Sequence, residues 1–170
     1  IGMTSSSLMA NIAYPMQGYW TPATPFDSKI MSSGAFFPLQ DTIGLYPSET
    51  SEALFEIARS FRYVADEGRA YWQTPEETQA KRSGDCEDTA VWLYVQLKKN
   101  GYDSARLVIG RYRSVDRGFH VWVTLTGNDG RTFILDPTKQ KRTWAISDSS
   151  EKYYKPVYSF DGFNRYRHSA

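Results

Sequence analysis

One stretch constrains this chain more than any other: Ser83-Gly84-Asp85-Cys86-Glu87-Asp88-Thr89-Ala90, running on to Asn100-Gly101. Asp85 is a good N-cap, and Glu87 and Asp88 put acids in the first turn. Lys98 and Lys99 fill the last turn, and Asn100-Gly101 is a stop signal. The spacing predicts one helix after Gly84. Ala90, Leu93, Tyr94 and Leu97 make an apolar stripe that Val91 and Val95 widen, so the helix is buried on most sides and central. Its first turn carries Cys86, the one cysteine in 170 residues. Free N–H groups at a helix start favour thiolate over thiol, which suits a nucleophile. A lone cysteine in an apolar helix is more commonly core filling, so position alone does not decide its role.

The elements around this helix set the fold class. After Gly101 the apolar period changes from helical to alternating. Ala105 to Tyr112, Phe119 to Leu125 and Arg131 to Leu135 read as strands, with Gly127-Asn128-Asp129-Gly130 a strong hairpin turn. They predict an antiparallel meander packed on the cysteine helix, an α+β arrangement. Upstream, Ser48-Glu49-Thr50 opens a helix. Leu54, Ile57, Ala58, Phe61, Val64 and Ala65 share its apolar face, and it ends near Asp66-Glu67-Gly68. Thr74-Pro75-Glu76-Glu77 is a capping box for a short helix to about Ala80. Residues 1–47 hold five prolines interleaved with aromatic rings, and we expect an arm wrapped on a domain of residues 48–170. In the last segment, 138–170, only Val157 to Phe160 reads as a strand.

Several functions are disfavoured by composition. Basic and acidic residues number 20 and 19, without the clustered basic surface of a nucleic-acid binder. No apolar run is long enough for a membrane span. A single cysteine rules out an internal disulfide and leaves the compartment open.

Three residues form a candidate constellation. His120, Trp122 and Thr124 share one face of their strand. The strands 119–125 and 131–135 pair through a short turn, so their far ends lie together and His120 should neighbour Asp136. If the helix packs with its start toward that edge, Cys86 faces His120. That is a nucleophile, a base and an orienting carboxylate, with the Cys86 N–H placed to help hold an oxyanion. Trp122 and Phe119 flank the histidine as packing and cleft wall.

The motifs also carry a resemblance. Tyr71-Trp72-Gln73-Thr74-Pro75-Glu76-Glu77, Gly84-Asp85-Cys86-Glu87-Asp88, Phe119-His120-Val121-Trp122-Val123 and Leu135-Asp136-Pro137 resemble the transglutaminase-like superfamily, most closely its bacterial cysteine proteinases. The match spans roughly residues 50–137. It implies a papain/transglutaminase-like core and a triad of Cys86, His120 and Asp136, the same three that the spacing selects. It implies thioester chemistry on a protein or peptide amide, with peptidase hydrolysis favoured. The alternatives are transfer to an amine, as in a protein-glutamine transglutaminase, and an inactive peptide- or glycan-binding module. Trp72 aligns as a packing residue. Asp85, Glu87 and Asp88 have two readings: capping and dipole matching with no cofactor required, or ligands of a Ca²⁺, which takes carboxylate oxygens and which some periplasmic relatives use at this motif. The resemblance also makes a periplasmic or extracellular location an expectation.

Overall fold

The computed structural model describes residues 18–36, 50–113, 118–139, 144–145 and 153–169. In chain order these form β1 (Tyr19–Trp20), α1 (Asp27–Ser32), α2 (Ser51–Arg59), β2 (Arg62–Tyr63), α3 (Pro75–Lys81), β3 (Ser83–Gly84) and α4 (Cys86–Lys99). After them come β4 (Arg106–Tyr112), β5 (His120–Thr126), β6 (Thr132–Leu135), β7 (Trp144–Ala145), β8 (Tyr154–Phe160) and β9 (Arg165–Arg167).

The cysteine helix is as buried as its stripes require. Every residue of α4 from Glu87 to Leu97 is buried. It lies on an antiparallel sheet of order β1-β9-β8-β4-β5-β6-β7. The alternation of β4 and β5 sends Leu107, Ile109, Val121, Val123 and Leu125 toward α4, into one core with Leu54, Phe55, Trp92 and Leu93. The other face of the sheet carries Val108 of β4, Trp122 of β5, Ile134 of β6 and Tyr154 of β8 in a second, smaller cluster. The expected meander is present: Ile109 pairs with Val121 and Val123 with Leu135.

Strand β8 departs from expectation. It starts at Tyr154, three residues earlier than the pattern at Val157 predicts, and it pairs with β4, with Tyr112 opposite Tyr154 and Leu107 opposite Phe160. The pairing shifts register between Ile109 and Gly110. A Cβ at Gly110 would stand 2.2 Å from the Lys155 carbonyl oxygen and 2.6 Å from Trp122 Cη2. Glycine is therefore required there for the Trp122 ring to lie across β4 beneath β8.

The helices before α4 follow their caps. Thr74 Oγ1 accepts from Glu77 N and Glu77 Oε2 accepts from Thr74 N, the two bonds of a capping box. Helix α2 corrects the sequence reading. Its apolar pattern runs to Ala65, but the helix stops at Arg59 and Val64 is exposed. Phe61 turns onto the Trp92 ring, 5.0 Å between centroids. The chain beyond then pairs in parallel with β3, Arg62 beside Ser83 and Tyr63 beside Gly84. Backbone bonds to β3 and the seating of Phe61 outweigh one more helical turn.

Of the expected arm, residues 18–36 are described. β1 pairs with β9, and α1 buries Ile30 in the α4 core. Residues 1–17 and 37–49 lie outside the described part, as do 140–143 and 146–152.

Candidate active site

Gly84 ends β3 and hands the chain to α4 beside Asp88: a Cβ on Gly84 would stand 2.6 Å from Asp88 Cβ and Oδ2. The Asp88 carboxylate is fully engaged. Oδ1 accepts from Gln73 N at 2.8 Å, and Oδ2 accepts from Gln73 Nε2 at 2.7 Å and Asp85 N at 3.1 Å. Asp88 thus fastens the 72–74 segment to the helix start. Burial, set against the hydrogen bond from Gln73, pushes its pKa up to about 6.

Cys86 follows, partly buried in the first turn. Its thiol donates to Glu87 Oε2 at 3.1 Å, and the backbone N–H of Val121 faces the sulfur and favours its charged form. The start of α4 thus lies against the start of β5. Burial first, and the Glu87 carboxylate second, push the thiol well above its ordinary range. These causes oppose the partial positive charge of the helix terminus on which the sequence reading rests. Asp85 is pushed up to about 7, by burial and then by Glu87. Its Oδ1 is buried without a hydrogen-bond partner.

His120 begins β5 on the face away from α4. Its Nε2 lies 2.7 Å from Asp136 Oδ2, and both residues are buried. This is the neighbour relation that the hairpin spacing predicts. Asp136 follows β6 and is held on both oxygens. Oδ1 accepts from Thr138 N and Oγ1, each at 3.0 Å, and from Lys139 N at 3.2 Å. Oδ2 accepts from the Tyr154 hydroxyl at 3.0 Å besides His120. Trp122 is fully buried and stacks beside the imidazole, 6.0 Å between centroids and 26° between planes.

Cys86 and His120 open onto one cleft of about 350 Å³, lined also by Tyr63, Tyr112, Gly118, Phe119, Thr138 and Lys139. Phe119 is half exposed as one wall, its ring edge-on to Phe26 at 5.1 Å. Tyr63 is raised above the ordinary phenol range by burial and then by the charges of Cys86, Asp85 and Glu87. A larger cavity of about 590 Å³ lies at the opposite ends of α4 and β5, lined by Tyr102, Leu125 and Phe133 among others; it holds neither the thiol nor a histidine.

The acidic run divides by geometry. Oxygens of Asp85 and Glu87 and the Cys86 sulfur lie within 4.8 Å of one another. Two carboxylates, one with an orphaned oxygen, fit a hard cation; the thiol does not. Asp88 faces Gln73 instead. Trp72 is buried, in line with a packing role. The residues that the sequence reading missed are Gln73, Tyr63, Tyr112 and Tyr154. Gln73, Tyr63 and Tyr154 reach the site from segments distant in sequence that no local period marks, whereas Tyr112 shares the alternating face of Val108 on the strand paired with β5.

No family model matches the sequence, and no curated protein matches it. Among solved structures, Legionella pneumophila LapG is similar, with 25% identity and a TM-score of 0.58 over 69% of this chain and 66% of that one. Its EGTA-treated form matches at 24% identity and TM-score 0.59, over 71% and 66%. Its calcium-bound form matches at 24% and 0.57, over 71% and 70%. The chain spans less than two thirds of the length of the first two.

Proposed function

The chain carries the fold of the transglutaminase-like cysteine proteases, and from that premise we propose that it is a thiol peptidase with Cys86, His120 and Asp136 as its triad. The observation that supports this most is the buried His120–Asp136 pair at 2.7 Å, whose His120 lines the same cleft as the chain's one thiol. Nε2 of the ring is taken by Asp136, which leaves Nδ1 for the sulfur.

In this reading the Cys86 sulfur attacks the carbonyl carbon of a protein or peptide amide while His120 takes the thiol proton. The Cys86 backbone N–H helps hold the oxyanion at the start of α4. The C–N bond then breaks, His120 gives its proton to the leaving nitrogen, and an S-acyl thioester remains. Water attacks the thioester with His120 as base, releasing a carboxylic acid and restoring the thiol. Residues 48–170 are the catalytic domain of this proposal, and an exported location, periplasmic or extracellular, belongs to it on the strength of the family resemblance.

Asp85 and Glu87 are the residues that would hold a Ca²⁺, on the evidence of the orphaned Asp85 oxygen beside a second carboxylate. The ion would supply positive charge next to the thiol, offsetting the two acids. Asp88 would support it from behind by holding the helix start.

The test is incubation with fluorogenic peptides, with and without a dansylated amine, for the native protein and for Cys86→Ala and His120→Ala. Peptide release that both variants abolish is the expected result. Amine incorporation in preference to release would replace hydrolysis by transamidation. Peptide binding without turnover in the native protein would make it a binding module. Full activity in either variant would refute the triad.

A further inference from the structure

Asp136 Oδ2 serves two donors at once, His120 Nε2 at 2.7 Å and the Tyr154 hydroxyl at 3.0 Å. Tyr154 reaches it from β8, with β4 and β5 lying between that strand and β6. The crossing is built rather than incidental. Gly110 opens the sheet for the Trp122 ring. Tyr154 packs edge-on against that ring at 5.2 Å and against Tyr112 at 5.0 Å, which aims its hydroxyl at the carboxylate. Trp122 in turn stacks on His120. The opposite oxygen, Oδ1, is anchored by Thr138 and Lys139, so losing one donor from Oδ2 would leave the carboxylate in place.

Two donors on one carboxylate oxygen divide its charge, and each bond is weaker than it would be alone. With Tyr154 absent, Asp136 would draw harder on the imidazole proton and make the imidazolium a poorer acid. Only one step is slowed by this, because a more basic ring does not hinder removal of the thiol or water proton. Cleavage of an amide requires His120 to give a proton to the leaving nitrogen, whereas a nitrophenolate leaves an ester without one. We propose that Tyr154 is a positioning residue which, through Asp136, sets how readily His120 releases its proton to the leaving group. The proposal rests on the Cys86–His120–Asp136 reading.

The test compares native protein, Tyr154→Phe, and protein with 3-fluorotyrosine, a stronger donor, at position 154. In proton NMR the His120 Nε2 resonance should move downfield in Tyr154→Phe and upfield with 3-fluorotyrosine. A merely structural tyrosine gives no such opposed pair. For Tyr154→Phe, kcat on a peptide amide should fall by roughly three- to tenfold, about the value of one hydrogen bond. The rate on the matching 4-nitrophenyl ester should stay within about twofold. An unmoved resonance in both variants overturns the proposal, as do equal losses on amide and ester. If the native protein turns over neither substrate, the peptidase reading falls, and the opposed NMR shifts alone decide whether Tyr154 acts on His120 through Asp136. Should Tyr154→Phe fail to fold, the fluorinated protein keeps the test intact, since its ring packing is unchanged.

Discussion

Glu87 touches both Cys86, the proposed nucleophile, and the candidate cation site. Its carboxylate accepts the Cys86 thiol and sits beside the orphaned oxygen of Asp85. Glu87→Gln keeps the shape and removes a ligand charge. Native protein should gain thermal stability on adding Ca²⁺ and the variant should gain little; equal responses would take Glu87 out of the ion's shell. Cys86→Ala removes a small, partly buried side chain, so stability should change by less than about 1 kcal/mol while turnover is abolished. Chemical denaturation and peptide assays check the two halves separately. His120→Ala should slow alkylation of Cys86 by iodoacetamide as well as abolish turnover, because in the proposed triad the sulfur loses its proton acceptor. An unchanged alkylation rate would mean that the ring and the thiol share a cleft without communicating.

At the scale of elements, two features carry energies large enough to measure. The Thr74 cap on α3 should be worth about 1 kcal/mol, and Thr74→Ala should lower Tm by about 2–4 °C in a chain of this size. Gly110→Ala should cost far more. The added carbon would meet the backbone carbonyl of Lys155 at 2.2 Å, and neither β4 nor β8 can yield without breaking the ladder. The loss should reach His120 through Trp122, so folding and the His120–Asp136 resonance should fail together. A well-folded Gly110→Ala with native Tm would show that the sheet is looser than its contacts imply. The elements were unequally legible. α3, α4 and the β4–β6 meander announce themselves, because caps and apolar periods act within a few residues. α2 reads too long from its sequence for the same reason: its pattern continues through Val64 and Ala65, and the pairing of Arg62 and Tyr63 with Ser83 and Gly84 has no local trace. The role of Asp88 is not legible either, since a first-turn acid and a clamp on Gln73 look the same in sequence.

For the molecule as a whole, the start of α4 joins three regions: β3 before it, the 72–74 segment through Asp88, and β5 through Val121. Ca²⁺ bound to the native state alone should therefore stabilise the entire cooperative unit. At about one hundred times its dissociation constant the gain is about 2.7 kcal/mol, seen as a Tm rise of roughly 5–10 °C that EGTA reverses. The absence of any shift with Ca²⁺ would leave the acidic run to capping and clamping alone. By itself the sequence determined the central helix, the cysteine in its first turn, and the approach of His120 to Asp136, because a hairpin with a short turn leaves its far ends no choice but to adjoin. Only the tertiary structure decided which way α4 lies on the sheet, that Val121 meets the sulfur, and that Tyr154 reaches Asp136 from beyond two intervening strands. Such long-range placements depend on how whole faces pack and on which strand inserts beside β4, and no spacing along the chain encodes that choice where a reader can see it.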